Sequence, residues 1–150
     1  SKDILKMAVV ERHKNPRHIG IGYLKGYGLK SGAVATSVAH DSHNIICVGT
    51  NDEDMAFAVN RIARNRGGIV VVKNGQVLAE LPLEIAGIIS GKPLREVNTL
   101  LEDAKKAAHA LGVGTDIDPF MTLSFMSLPV IPTLRLTTRG VVDVNTQQYV

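Results

Sequence analysis

His40 and His43 stand three residues apart around an Asp41-Ser42 pair, inside the stretch SVAHDSHNIICVGT that runs from Ser37 to Thr50. Asn44 follows them, and the chain then turns into an apolar run ending at Gly49. Polar and titratable groups packed this densely between two strand-like runs are costly to order unless they bind something or satisfy one another. Metal ligation is one use for them. Two imidazoles at this spacing can approach one ion from a helix or turn, but two do not complete a site, and Asp41 or a remote Asp118 would have to join them. Hydrogen bonding within a turn is the simpler account of both histidines. Acyl transfer is another use, since Ser42, His43 and Asp41 are the right residue types. Triad members, however, meet through the fold and seldom through adjacency, and the chain has no G-x-S-x-G elbow.

A zinc-dependent attack on a nucleobase of the His-x-Glu, Pro-Cys-x-x-Cys kind is excluded, because neither motif occurs and the chain has one cysteine. That cysteine, Cys47, lies in the apolar run NIICVG and reads as a packed thiol.

The elements that must position this stretch follow from periodicity and punctuation. Met7 to Val10 reads as a strand, and the basic tract from Glu11 to His18 as a loop broken by Pro16. Ile19 to Gly32 carries five glycines spaced G-x-G-x-x-x-G, one residue off the dinucleotide fingerprint and with no amphipathic helix directly after it. Turns, bulges or close backbone approach are the expectation there. Ala33–Ala39 and Ile45–Val48 read as the strands flanking the polar segment.

Thr50 as N-cap with Glu53 three residues on forms a capping box for a helix over about 52–66, with Met55, Val59 and Ile62 on one face. Asn74-Gly75 joins two β-branched runs as a hairpin. Leu83 to Ile89 is expected as a short helix weakened by Gly87. A second long helix, about 93–111, starts with Pro93 in its first turn and closes at Gly112. Pro119, Pro129 and Pro132 rule out a long helix after it, which leaves a buried loop or edge piece. Leu134 to Val144 reads as a final hairpin turning at Thr138-Arg139-Gly140. The expected fold is α+β in one domain over 1–150, with mixed, largely antiparallel sheet and two main packing helices.

At 45% apolar and 21% charged, the composition is that of a soluble domain, and one cysteine fits a reducing, cytoplasmic compartment. Seventeen basic against 14 acidic residues leave a net charge of +3, too mild to argue nucleic acid. Arg12 to His18, with Lys25 and Lys30, reads as a solvated surface, since Tyr23 and Tyr27 are the only nearby aromatic platforms. No apolar run reaches the ~18 residues of a membrane span.

Four blocks belong together: ERHK; GYLKGYGLKSGAVATSVAHDSHNIICVGTNDEDMAFAVNRI; GGIVVVKNGQVLAELPLEIAGIIS; and DPFMTLSFMSLPVIPTLRLT. They closely resemble the C-terminal domain of bacterial-type adenine deaminases, of the amidohydrolase superfamily, from about Ala8 to Val144. The resemblance implies a part in hydrolysing adenine to hypoxanthine and ammonia. It also implies a manganese or iron centre on a separate barrel domain, opened by a His-x-His pair that this chain does not contain. No metal is then expected in this chain, which alone should be inactive.

On that resemblance His40, Asp41 and His43 are the catalytic candidates. Ser42, Asn44, Asp118, Phe120 and Met121 are candidates for lining the active site or contacting substrate. Bracing of a domain interface is the competing role for both blocks. The implied partners are adenine, the barrel domain and a further copy of the protein, with no nucleic acid and no membrane. The other readings are a purely structural or oligomerisation domain, and a free-standing module for small molecules or nucleic acid.

Overall fold

The computed structural model describes residues 3–13 and 18–150, so residues 14–17 of the basic tract, Pro16 among them, lie outside the described residues. Six strands, β1 (Ile4–Val10), β2 (Ile19–Lys25), β3 (Ala33–Thr36), β4 (Ile45–Gly49), β5 (Gly68–Lys73) and β6 (Gln76–Pro82), form one sheet in the order β2-β1-β4-β3-β5-β6. Each neighbouring pair in it is antiparallel.

The central strands are uninterrupted apolar runs because both faces of the sheet are covered. Ala33, Ala35, Ile45, Cys47, Val70 and Val72 face helix α1 (Asp52–Arg64), which contributes Met55, Ala58 and Ile62 to the same cluster. Val34, Ile46, Val48 and Val71 face the other way, toward α2 (Leu94–Ala110) and the short α3 (Pro119–Ser124). Two fully buried alanines, Ala104 and Ala108, let α2 lie close on β5 and β6. A second sheet, β7 (Leu134–Thr137), β8 (Gly140–Asp143) and β9 (Gln148–Tyr149), packs against β2 and places Leu136 in this second cluster.

The α+β class, both long helices, the Asn74-Gly75 hairpin and the final hairpin follow the sequence expectations. Five local features differ. The glycine-rich stretch from Ile19 is a seven-residue strand, not only turns. Its glycines do serve close approach: a Cβ on Gly20 would run into the Thr137 carbonyl oxygen, and one on Gly22 would sit 3.3 Å from Leu136 Cδ1. The N-cap of α1 is Asn51 rather than Thr50; Asn51 Oδ1 accepts from the Asp54 N–H at 2.8 Å. Pro93 likewise caps α2 from outside instead of opening it.

Residues 83–89 form no helix. Ala86 and Gly87 adopt left-handed φ values of 54° and 77°, and Ile85 bridges back to Ile89. Finally, the proline-bound segment does contain a helix, α3, short enough for Pro119 to sit in its first turn.

Candidate functional site

The HDSHN segment is the loop joining β3 to β4, the two strands at the centre of the sheet. At the same end, β1 runs out into Arg12-His13, which bond to His43 and Ser42, and β6 into the 83–90 turn, whose Gly87 carbonyl accepts from Ser37 Oγ at the start of the loop.

His40 is anchored by its backbone N–H, which donates to the Ser124 carbonyl at 3.0 Å, while its ring lies tilted on Phe125 with centroids 4.8 Å apart. It lines a cleft of about 360 Å³ between the sheet, α2 and α3, together with Phe120, Met121, Leu101, Lys105 and Asp118. That volume lies within the range of small-molecule clefts, about 300–1,000 Å³. The walls are mostly apolar, and the Lys105–Asp118 ion pair at 3.0 Å supplies charge at the rim.

Asp41, Ser42 and Asn44 face a different cleft, about 440 Å³, shared with Ser127, Pro129 and Thr137. The candidates therefore divide. His40, Asp118, Phe120 and Met121 converge on one side of the loop, and Asp41, Ser42 and Asn44 on the other.

His43 stands between them, its ring 6.5 Å from that of His40 at 62°. Its backbone adopts φ 48°, a left-handed conformation that histidine tolerates better than most side chains, and its N–H donates to the Ala39 carbonyl at 2.7 Å. Nδ1 of His43 is buried without a hydrogen-bond partner. Buried polar atoms are nearly always paired, so an orphaned imidazole nitrogen marks a group available to something further.

No Ser42 Oγ to imidazole hydrogen bond joins the described residues into a triad; that oxygen accepts only from the Asn44 N–H, at 3.5 Å. Among the described residues no three His, Cys, Asp or Glu side chains come together, so they do not fit a metal centre of their own.

Asp118 is occupied by the fold. It caps α3, one oxygen accepting from the N–H groups of Phe120 and Met121 at 3.0 and 2.9 Å while the other meets Lys105. Burial alone would raise its pKa, but the Met121 N–H, Lys105 and the Phe120 N–H outweigh it and hold the carboxyl below its usual range.

Arg12, Phe125 and Ser124 belong to the site and were not singled out by residue type. Arg12 bridges the loop and the 83–90 turn. Its backbone N–H donates to Asn44 Oδ1 at 3.2 Å, Nε to the His43 carbonyl at 2.9 Å and Nη2 to the Ala86 carbonyl at 2.7 Å. His13 Nε2 lies 3.0 Å from the Ser42 carbonyl. The only sequence signal was that a basic tract directly followed a buried strand.

The profile of one family, described as "Adenine deaminase C-terminal domain", matches residues 1–148. The chain belongs to this family. It is 53% identical over 147 residues to an adenine deaminase of Nitratidesulfovibrio vulgaris strain Hildenborough, covering 97% of this chain and 26% of that protein. It is 49% identical over 148 residues to an adenine deaminase of Bacillus subtilis strain 168, covering 99% and 26%. Adenine deaminase 2 of Carboxydothermus hydrogenoformans is 52% identical over 145 residues, covering 97% and 25%. The chain thus spans about a quarter of the length of these relatives. As a member of the adenine deaminase C-terminal domain family, it presents its polar loop from the most buried part of its sheet. No helix among the described residues is long and apolar enough to cross a membrane.

Proposed function

We propose that this chain is the accessory C-terminal domain of an adenine deaminase and works beside a separate catalytic barrel domain that carries the manganese or iron. The observation that carries this reading is the family match over residues 1–148, to a domain that makes up about a quarter of its adenine deaminase relatives. The reaction is hydrolysis of adenine to hypoxanthine and ammonia. Metal chemistry belongs to the barrel; this chain covers the barrel mouth, excludes water and offers polar groups to the base.

Within the chain, His40 and His43 have the chemistry to meet a purine: one ring beside an apolar cleft, the other with a free buried nitrogen. A neutral imidazole can accept from or donate to a ring nitrogen or the exocyclic amine, and can relay a proton at neutral pH. Phe120 and Met121 offer apolar surface for a flat base. Bracing is the better role for Asp118, because both of its oxygens are already engaged within the domain.

The test is ammonia release from adenine by the full-length enzyme carrying His40→Ala or His43→Ala. A loss of kcat on the order of 100-fold or more is expected if either ring handles a proton. Unchanged kcat and KM in both variants would leave the loop as an interface brace.

A further inference from the structure

Three chain segments meet at the loop end of the sheet, and one side chain holds them together. Arg12 lies two residues past the end of β1 and reaches the loop through two bonds: its backbone N–H to Asn44 Oδ1 and its Nε to the His43 carbonyl. The other end of the same guanidinium reaches the Ala86 carbonyl in the 83–90 turn. Both side-chain bonds go to backbone carbonyls, so the cation is spent on fixing backbone and not on neutralising a carboxylate.

The turn is built to admit it. A Cβ on Gly87 would lie 2.5 Å from Arg12 Cζ and 2.6 Å from both terminal nitrogens, so a side chain there would have to push the guanidinium off its carbonyls, and the φ of 77° favours glycine as well. The turn is itself pinned to the sheet by Ser37 Oγ, which donates to the Gly87 carbonyl and accepts from the Gly68 N–H at 2.7 Å. Ser37 starts the loop in which His43 lies, which closes a ring of contacts: loop to Arg12, Arg12 to turn, turn back to the first residue of the loop.

We propose that Arg12 is a positioning residue for the deamination reaction, clamping the backbone at His43 to the Ala86–Gly87 turn so that the His43 imidazole keeps one orientation. This rests on the reading that the loop faces the active site. Lysine cannot replace it, because one ammonium lacks the planar fork that spans two carbonyls in different segments.

The experiment uses the full-length enzyme with Arg12→Ala, Arg12→Lys, Gly87→Ala and His43→Ala. In Arg12→Ala, hydrogen exchange should quicken at the amides of residues 40–44 and 84–89 and stay unchanged in β4 and α1. kcat should fall about 10- to 100-fold with KM moving less, as for a misplaced group. A soluble alkylguanidine should restore part of that kcat, whereas Arg12→Lys should recover little. Gly87→Ala should lower kcat in the parent but much less in Arg12→Ala, where the guanidinium it presses on is gone.

Unchanged local exchange in Arg12→Ala overturns the clamp. Full kcat in Arg12→Ala while His43→Ala is impaired overturns the positioning role and leaves the loop's function standing. Full kcat in both variants removes the active-site reading itself, and the positioning role with it.

Discussion

Asp54, in the first turn of α1, holds the β5–β6 hairpin turn: its Oδ1 accepts from the Gly75 N–H at 2.9 Å and its Oδ2 from the Asn74 N–H at 3.2 Å. One helix acid thereby satisfies turn amides twenty residues away while Asn51 Nδ2 supports it at 3.1 Å. Burial pushes its pKa up, but the Gly75 N–H, Asn51 and the Asn74 N–H outweigh burial and leave it lowered. A lowered folded-state value means that the contribution is complete above the unfolded carboxyl's pKa of about 3.9 and fades as pH falls through the folded one. Asp54→Asn should therefore cost about 1–2 kcal/mol at pH 7. The gap from wild type in urea melts should narrow steadily below about pH 4; a gap constant from pH 7 to 3 would count against this account.

Cys47 is fully buried between the sheet and α1, with Sγ 3.8 Å from the Met55 carbonyl, and burial drives its thiol pKa far upward. The thiolate is the reactive form, so a disulfide reagent at neutral pH should label this cysteine only as fast as the domain opens. Labelling should accelerate with urea in step with unfolding. Rapid stoichiometric labelling in native buffer would show that the thiol is not enclosed.

Tyr27 donates its phenol proton to the Pro119 carbonyl at 3.0 Å, which links the chain after β2 to the first turn of α3. Burial raises the phenol's pKa, so it stays protonated through the ordinary tyrosine range while the domain is folded. Tyr27→Phe should lose about 1 kcal/mol, since the carbonyl is left without its donor. It should also loosen Phe120 and Met121, seen as faster exchange of their amides.

Gly20 gives the backbone of β2 direct contact with the Thr137 carbonyl. Gly20→Ala meets rigid backbone and should cost about 3 kcal/mol, releasing the β7–β9 sheet before the larger one in thermal melts. Gly22→Ala meets only side-chain ends, those of Leu136 at 3.3 Å and Val141 at 3.7 Å, and should cost less, because those side chains can turn aside.

What was legible in the sequence were features in which a local rule and the tertiary fold agree. Met55 and Ile62 at helical spacing, Asn74-Gly75 between β-branched runs, and the alanine face of α2 each specify one local structure and also pack in it. Elsewhere tertiary contact overrode local propensity. Gly20 and Gly22 weaken β2 as an isolated strand, and it forms because β1 pairs along its whole length. Residues 83–89 have a helical look, yet room for the Arg12 guanidinium and a bond to Ser37 are met by the left-handed Ala86-Gly87 pair.

α3 carries its own signal in the sequence: Asp118-Pro119 is an N-cap followed by a residue favoured at N1. At the candidate site the residue types were visible, but their division between two clefts was not. Asp41 and His40 are adjacent in sequence and line different cavities, a consequence of backbone path alone.

The HDSHN loop hangs from the two innermost strands of a six-stranded sheet. Its roots at Thr36 and Ile45 are among the most enclosed positions in the chain. Active-site lids are drawn from segments that open at little cost, and this loop's ends could part only with the core itself. It is built as a fixed jaw. Under the proposed accessory role, the loop would meet whatever faces it as a preformed surface and not by a closing stroke of its own.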